Sequence, residues 1–144
     1  MLKLCISVSK LRAVANSITM QEVLKKLRFK GDGIVIQAPK DLADAFLAHR
    51  CKMEFNSDSS TKTLVFVSDK DELTHFLNDG LKHIVPDSVF WIAYPKGTSK
   101  LKSNINRDSI RMTVEEFGIT TVSAISIDET WSALRFRPID QVGK

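Results

Sequence analysis

Three short apolar runs most constrain what this chain can fold into: Ile34, Val35 and Ile36; Leu64, Val65, Phe66 and Val67; and Val89, Phe90, Trp91, Ile92 and Ala93. Each is continuous and rich in β-branched or aromatic residues, the pattern of a strand covered on both faces. Between them lie segments of helical spacing. Asp41 is placed to cap a helix striped by Leu42, Ala45 and Phe46. Asp69 and Glu72 have capping-box spacing ahead of Leu73, Phe76, Leu77 and Ile84. Strands separated by helices need crossovers, which are right-handed and make the strands parallel.

Two more helices follow from the same periodicity. Thr19 and Glu22 open one whose apolar face is Met20, Val23, Leu24 and Leu27; Ile110, Val114 and Phe117 stripe another, ended by Gly118. Residues 120–127 alternate like a strand near a sheet edge, and residues 132–137 return as a strand with Leu134 and Phe136 on one face. The connection between them is too short for a crossover, so the last strand runs antiparallel. The expected fold is α/β: a small Rossmann-like three-layer α/β/α sandwich, its sheet mostly parallel with an antiparallel C-terminal edge hairpin. Residues 19–144 are expected to form a single domain. Residues 1–18, where Leu2, Leu4, Ile6 and Val8 alternate, read as an N-terminal extension or an added strand. Arg135 and Arg137 read as charges guarding an exposed edge strand. Trp131 reads as a core anchor.

The composition of 144 residues, 43% apolar and 26% charged, suits one globular core. No run is long enough to span a bilayer and no secretory pattern opens the chain. Cys5 and Cys51 then read as reduced thiols of a cytoplasmic protein. His49, His75 and His83 lack ligand spacing, so no metal is expected. Nucleotide cofactors want glycines directly after the first strand; Gln37, Ala38, Pro39 and Lys40 stand there instead. Gly97, Thr98, Ser99 and Lys100 lack the leading glycine and the ending of a phosphate loop. The chain is expected to need no cofactor.

In a parallel sheet the carboxyl ends of the strands share one rim, where such sheets bind ligands. That rim gathers Lys40, Ser68, Asp69, Tyr94, Lys96 and Asp128. Pro95 and Gly97 flank Lys96 and aim its side chain. No acid lies between Asp87 and Asp108, and the net charge is +4, which together suit a small anionic ligand. The candidate site is Lys40, Tyr94, Lys96, Ser99, Asp128, Glu129 and Ser132. The plainer readings are that Lys100 and Lys102 are solvated and that Asp128 or Thr130 completes the hairpin turn. Three functions compete. The first is a binding or interaction module for a small anion or a partner. The second is a transferase-like enzyme with Asp128 as base and Lys96 as electrostatic stabiliser. The third is a weak nucleic-acid binder built on Lys25, Lys26, Arg28, Lys30 and the basic segment at 96–107. The first is preferred because no catalytic constellation is spelled out, and few aromatics interleave the basic residues.

The motifs also carry a resemblance. Ala38 and Pro39 after the first strand, the pattern Trp91, Pro95, Lys96 and Ser99, the pair Arg107 and Asp108, and the closing Asp128, Glu129, Thr130, Trp131, Ser132, Leu134 and Phe136 resemble a bacterial domain family of unknown function. The likeness runs from about Leu24 to Pro138, and the closing motif is its most specific part. It implies a compact α/β domain and no particular activity. One departure is Asn104, where the family more often has an aspartate.

Overall fold

A computed structural model describes residues 20–29, 33–55, 60–97 and 104–142. The elements are α1 (20–27), β1 (Ile34–Ile36), α2 (Lys40–Ala48), β2 (Ser60–Phe66), α3 (Lys70–Asp79), β3 (Ile84–Pro95), α4 (Arg107–Glu115), β4 (Ile119–Ser126) and β5 (Trp131–Pro138). The readings placed on residues 1–19, including Cys5, and on Ser99, Lys100 and Lys102 fall outside the described residues.

The strands form one sheet in the order β1-β2-β3-β5-β4. β1, β2 and β3 pair in parallel, and β5 runs antiparallel to both β3 and β4. The fold is thus the expected small α/β sandwich, with the C-terminal hairpin at the sheet edge. The hairpin's outer member is β4, however, and β5 lies inside. The burial pattern explains this. β5 buries Trp131 and Ala133 on one face and Leu134 and Phe136 on the other, whereas much of β4 is exposed. Arg135 and Arg137 therefore guard no edge. Arg135 sits in register between Trp91 and Ser123, and burial together with the charges of Arg28 and Arg137 depresses its pKa. The true edge strand carries no charge and is interrupted by a bulge between Thr121 and Ser123.

Helices cover both faces. Phe46 of α2 and Met20, Val23, Leu24 and Leu27 of α1 pack with Leu64, Phe66, Trp91 and Ala93. Leu73, Phe76 and Leu77 of α3 and Ile110 and Val114 of α4 pack with Val65, Val67, Phe90 and Ile92. The alternation of β2 and β3 sends neighbouring side chains to opposite layers. Fully burying one such side chain, as at Phe46, contributes about 1.5–3 kcal/mol. At α3 the N-cap half of the expected box forms, with Asp69 Oδ1 accepting from Glu72 N at 2.8 Å, but Glu72 Oε1 accepts from Ser68 N at 2.9 Å, one residue before the cap, so the box does not close on Asp69 itself. α2 differs: Pro39 is its N-cap, without a side-chain cap bond, and Asp41 lies in the first turn. Ile84 and Phe117, expected on helices, lie beyond them. Ile84 opens β3, and α4 stops at Glu115 before a turn in which Gly118 takes φ 85°.

The handedness of the connections exposes a feature absent from the sequence reading. From β2 to β3, and from β3 to β4, the chain advances toward the β4 edge with its helix on the α3/α4 face. α2 lies on the other face, so a direct step from β1 to β2 would have the opposite hand, against a strong preference. The chain first stops on the outer side of β1. Lys52 forms an isolated parallel bridge to Ile34, with Val35 N donating to Lys52 O at 2.7 Å and Lys52 N to Gly33 O at 2.9 Å. β1, α2 and Lys52 thus keep the common hand while moving away from β2. The direction of travel reverses between β1 and β2, which makes that crevice a topological switch point.

Candidate functional site

The carboxyl ends of β1, β2, β3 and β4 share one rim, with the start of β5 beside them. The switch-point crevice itself is stitched shut. Gln37, at φ 61°, leaves β1 and donates from Nε2 to Phe66 O at 3.1 Å. With Pro39 next in line, no run of glycine amides faces the crevice. The amino end of α3 is also taken: its caps are acidic, and Lys70 N donates to Asn104 Oδ1 at 2.9 Å. Asn104 therefore has a structural task that an aspartate would perform equally.

Further along the rim the side chains are of another kind. Tyr94, Ser132 and Ser126 lie in register across β3, β5 and β4. Paired residues share a face, so three hydroxyls form a row on the α3/α4 side. Lys96 Nζ donates to Ser126 Oγ at 2.6 Å, and Ser126 Oγ donates to Asp128 O at 3.3 Å. Lys96 is anchored at its backbone as well, N to Thr130 O at 2.8 Å. Arg107 opens α4 and is near enough for its charge to act on Tyr94. Burial pushes the Tyr94 phenol above its ordinary pKa, and the Arg107 charge opposes this in part. At neutral pH the phenol keeps its proton and can donate it.

The expected site residues thus divide. Tyr94, Lys96 and Ser132 come together. Asp128 borders them through its backbone, but its carboxylate holds the hairpin turn: Oδ1 accepts from Thr130 N and Trp131 N, both at 2.8 Å. One oxygen of the candidate base is therefore already occupied. Glu129 is exposed at the hairpin tip. Lys40 is exposed at the start of α2, which packs on the opposite face. There a small cavity of about 140 Å³ between α1, α2 and the hairpin has Asp41 and Asp128 on its wall, a poor setting for an anion. Lys25 and Lys26 also ride on α1, so they and the Lys96 cluster lie on opposite faces of the sheet. Ser99 is outside the described residues.

Ser126 and Gln37 lie outside the site expected from the sequence, in which Arg107 reads as part of a basic segment and as half of the Arg107–Asp108 pair. Ser126 was open to detection, since a tight hairpin closing at 128–131 sets Ser126 across from Ser132. Gln37 gave no signal, because a positive φ at glutamine cannot be read from neighbours. Among the described residues no group of three or more His, Cys, Asp or Glu side chains gathers to hold a metal, and no helix is long and apolar enough to cross a membrane.

No family model matches the chain, and no curated protein matches it. Among solved structures it is similar to a protein in the NADB-Rossmann superfamily from Streptococcus agalactiae, at 9% sequence identity and a TM-score of 0.42. That match covers 80% of this chain and 55% of the other, so the chain spans little more than half the length of its structural neighbour.

Proposed function

We propose that this protein is a non-catalytic binding module for a small anionic ligand, seated on the α3/α4 side of the carboxyl rim. One observation carries the reading: a row of three hydroxyls, Tyr94, Ser132 and Ser126, flanked by the cations Lys96 and Arg107. Hydroxyl and ammonium donors converging on one patch suit a phosphate or carboxylate, through charge-assisted hydrogen bonds. A transferase-like role with Asp128 as base is the weaker reading, because the carboxylate is engaged in its own turn.

Isothermal titration and thermal unfolding at low salt, with phosphate, sulfate and citrate as probes, test the proposal. At least one probe should bind and raise the melting temperature. Lys96→Ala should weaken that binding about tenfold or more, the value of a charged hydrogen bond, while Lys40→Ala leaves it unchanged. The proposal fails if no probe binds, or if the two lysine variants lose the same amount.

A further inference from the structure

At the amino pole of the sheet, β3 and β5 part company after their last mutual pair, Phe90 with Phe136. Residues 84–88 of β3 form one prong of a fork, and Arg137 and Pro138 form the other. The fork is lined mainly by apolar side chains, among them Ile84, Phe90 and Phe136 on the α3/α4 face. Asp87 clasps Arg137 across it, Arg137 Nε to Oδ1 at 2.7 Å and Nη2 to Oδ2 at 3.0 Å. The other face of the same strands carries charge that the clasp does not satisfy.

Arg135 pairs in register with Trp91 on one side and Ser123 on the other, so all three side chains share the α1 face. The indole of Trp91 bonds Leu27 O at the end of α1, which sets Arg28 beside this row. The charges of Arg28 and Arg137 both bear on Arg135. The carboxylate whose charge reaches Arg135 is Asp87, and the clasp has taken both of its oxygens. Arg135 Nε is shielded from solvent and has no hydrogen-bond partner among the described residues. The side chain as a whole is only half-buried, which leaves its two terminal nitrogens as the accessible donors. Arg28 is exposed and takes φ 63°. Its N bonds Lys25 O at 3.1 Å and Phe29 N bonds Leu24 O at 2.9 Å, a Schellman ending whose left-handed position favours glycine. An arginine there gives up backbone stability to place a cation next to another cation. The helix dipole favours the charge of Arg28, but nothing of the kind compensates Arg135.

We propose that Arg28, Arg135 and Ser123 form a second anion-binding site, on the face of the sheet opposite the Lys96 row, for the dianion of a small phosphomonoester. The terminal nitrogens of Arg135 suit two oxygens of one phosphate. Two guanidiniums in mutual range without a free carboxylate call for two negative charges. A monoester supplies them near neutrality, since its second proton leaves near pH 6; a diester or a monocarboxylate supplies one. The exposed Ser123 hydroxyl can donate to a third oxygen.

The test is a titration of the full-length, ¹⁵N-labelled protein at low salt with methyl phosphate, dimethyl phosphate and acetate. Methyl phosphate should shift the amides of Arg28 and Ser123 and the Nε–Hε signal of Arg135 at millimolar concentration. These signals report this site apart from the amides of Tyr94 and Ser126 at the rim. It should bind about tenfold tighter than either monoanion, the value of one charged hydrogen bond. Arg28→Gly removes one guanidinium and suits the left-handed backbone better, so it should weaken binding about tenfold without loss of melting temperature. Arg135→Gln should weaken binding at least as much. Absence of shifts at those three positions, dimethyl phosphate or acetate binding as tightly as methyl phosphate, or an undiminished response in Arg28→Gly would each overturn the proposal. So would a short DNA strand without terminal phosphates that binds there more tightly at equal phosphate concentration, since the patch would then be a nucleic-acid surface.

Discussion

Beyond its apolar packing, α1 is tied to the sheet by the indole of Trp91, and the removal of that bond has a calculable cost. α1 ends at residue 27, so its last carbonyls lack helical partners. Two are recovered locally, by Arg28 N to Lys25 O at 3.1 Å and Phe29 N to Leu24 O at 2.9 Å. Leu27 O is reached instead by the indole of Trp91, Nε1 to O at 3.0 Å, from the middle of β3. Leu27 is 0% and Trp91 2% exposed, so water cannot substitute. Trp91→Phe would orphan that carbonyl at about 1–3 kcal/mol. The volume left by the smaller ring adds about 1 kcal/mol. The sum is about 2–4 kcal/mol, a fall in melting temperature of roughly 7–13 °C for a domain of this size. Thermal and urea unfolding followed by circular dichroism measure the total. Hydrogen exchange should show α1 amides losing more protection than those of β3. A loss below about 0.5 kcal/mol would refute the reasoning, since it would mean that the carbonyl is satisfied without the indole.

Two further outcomes follow from the contacts. Asp128→Ala should cost about 1–2 kcal/mol in urea unfolding, through the two turn amides that it leaves unpaired, while Asp128→Asn, whose side-chain oxygen can still accept, should cost less than half of that. Equal losses would show that charge rather than the turn matters at this position. The hydrogen bond from Arg137, aided by its charge, holds the Asp87 carboxyl below its ordinary pKa. Such a group contributes stability that is complete above the unfolded-state value, near 4, and is lost as pH falls through the folded value. The difference in melting temperature between the unmodified protein and Asp87→Asn should therefore be constant near neutrality and shrink below about pH 4; a gap independent of pH would contradict this.

The parts of the fold legible in the sequence are those fixed by local chemistry. The runs at 34–36, 64–67 and 89–93 read as buried strands because they are apolar on both faces, and all three lie within β1, β2 and β3 or directly after them. Asp69 announced α3 because an N-cap followed by an acidic first turn is a short-range pattern. Order within the sheet was less legible. Leu134 and Phe136 pointed to one buried face of β5; Ala133, small and on the opposite face, is what marks the strand as interior, and an alanine carries little signal. The bridge at Lys52 is a single residue set by a turn 17 positions after Val35, beyond the reach of any periodicity. Lys40 and Lys96 looked alike in sequence, each following a strand and a proline. Which face of the sheet each one serves depends on the helix packed there, which is a tertiary property.

The reversal of β5 accounts for both poles at once. Because β4 runs with β1–β3, the tight β4–β5 turn must lie at the carboxyl rim, and β5 must start there. That start sets Ser132 between the ends of β3 and β4, so Tyr94 and Ser126 gain a hydroxyl neighbour in the gap. β5 must equally finish at the amino pole, next to the beginning of β3. β3 extends through residues 84–88 beyond its last pair with β5, and the Asp87–Arg137 clasp joins the two prongs there. A fifth strand inserted in parallel would have needed a helical crossover of about ten residues or more, and neither the hydroxyl row nor the fork would exist in this form. The polar rim and the apolar fork are thus two consequences of one short hairpin. A perturbation that shifts the β4–β5 register by one residue should damage both, since it turns every side chain of β5 to the other face.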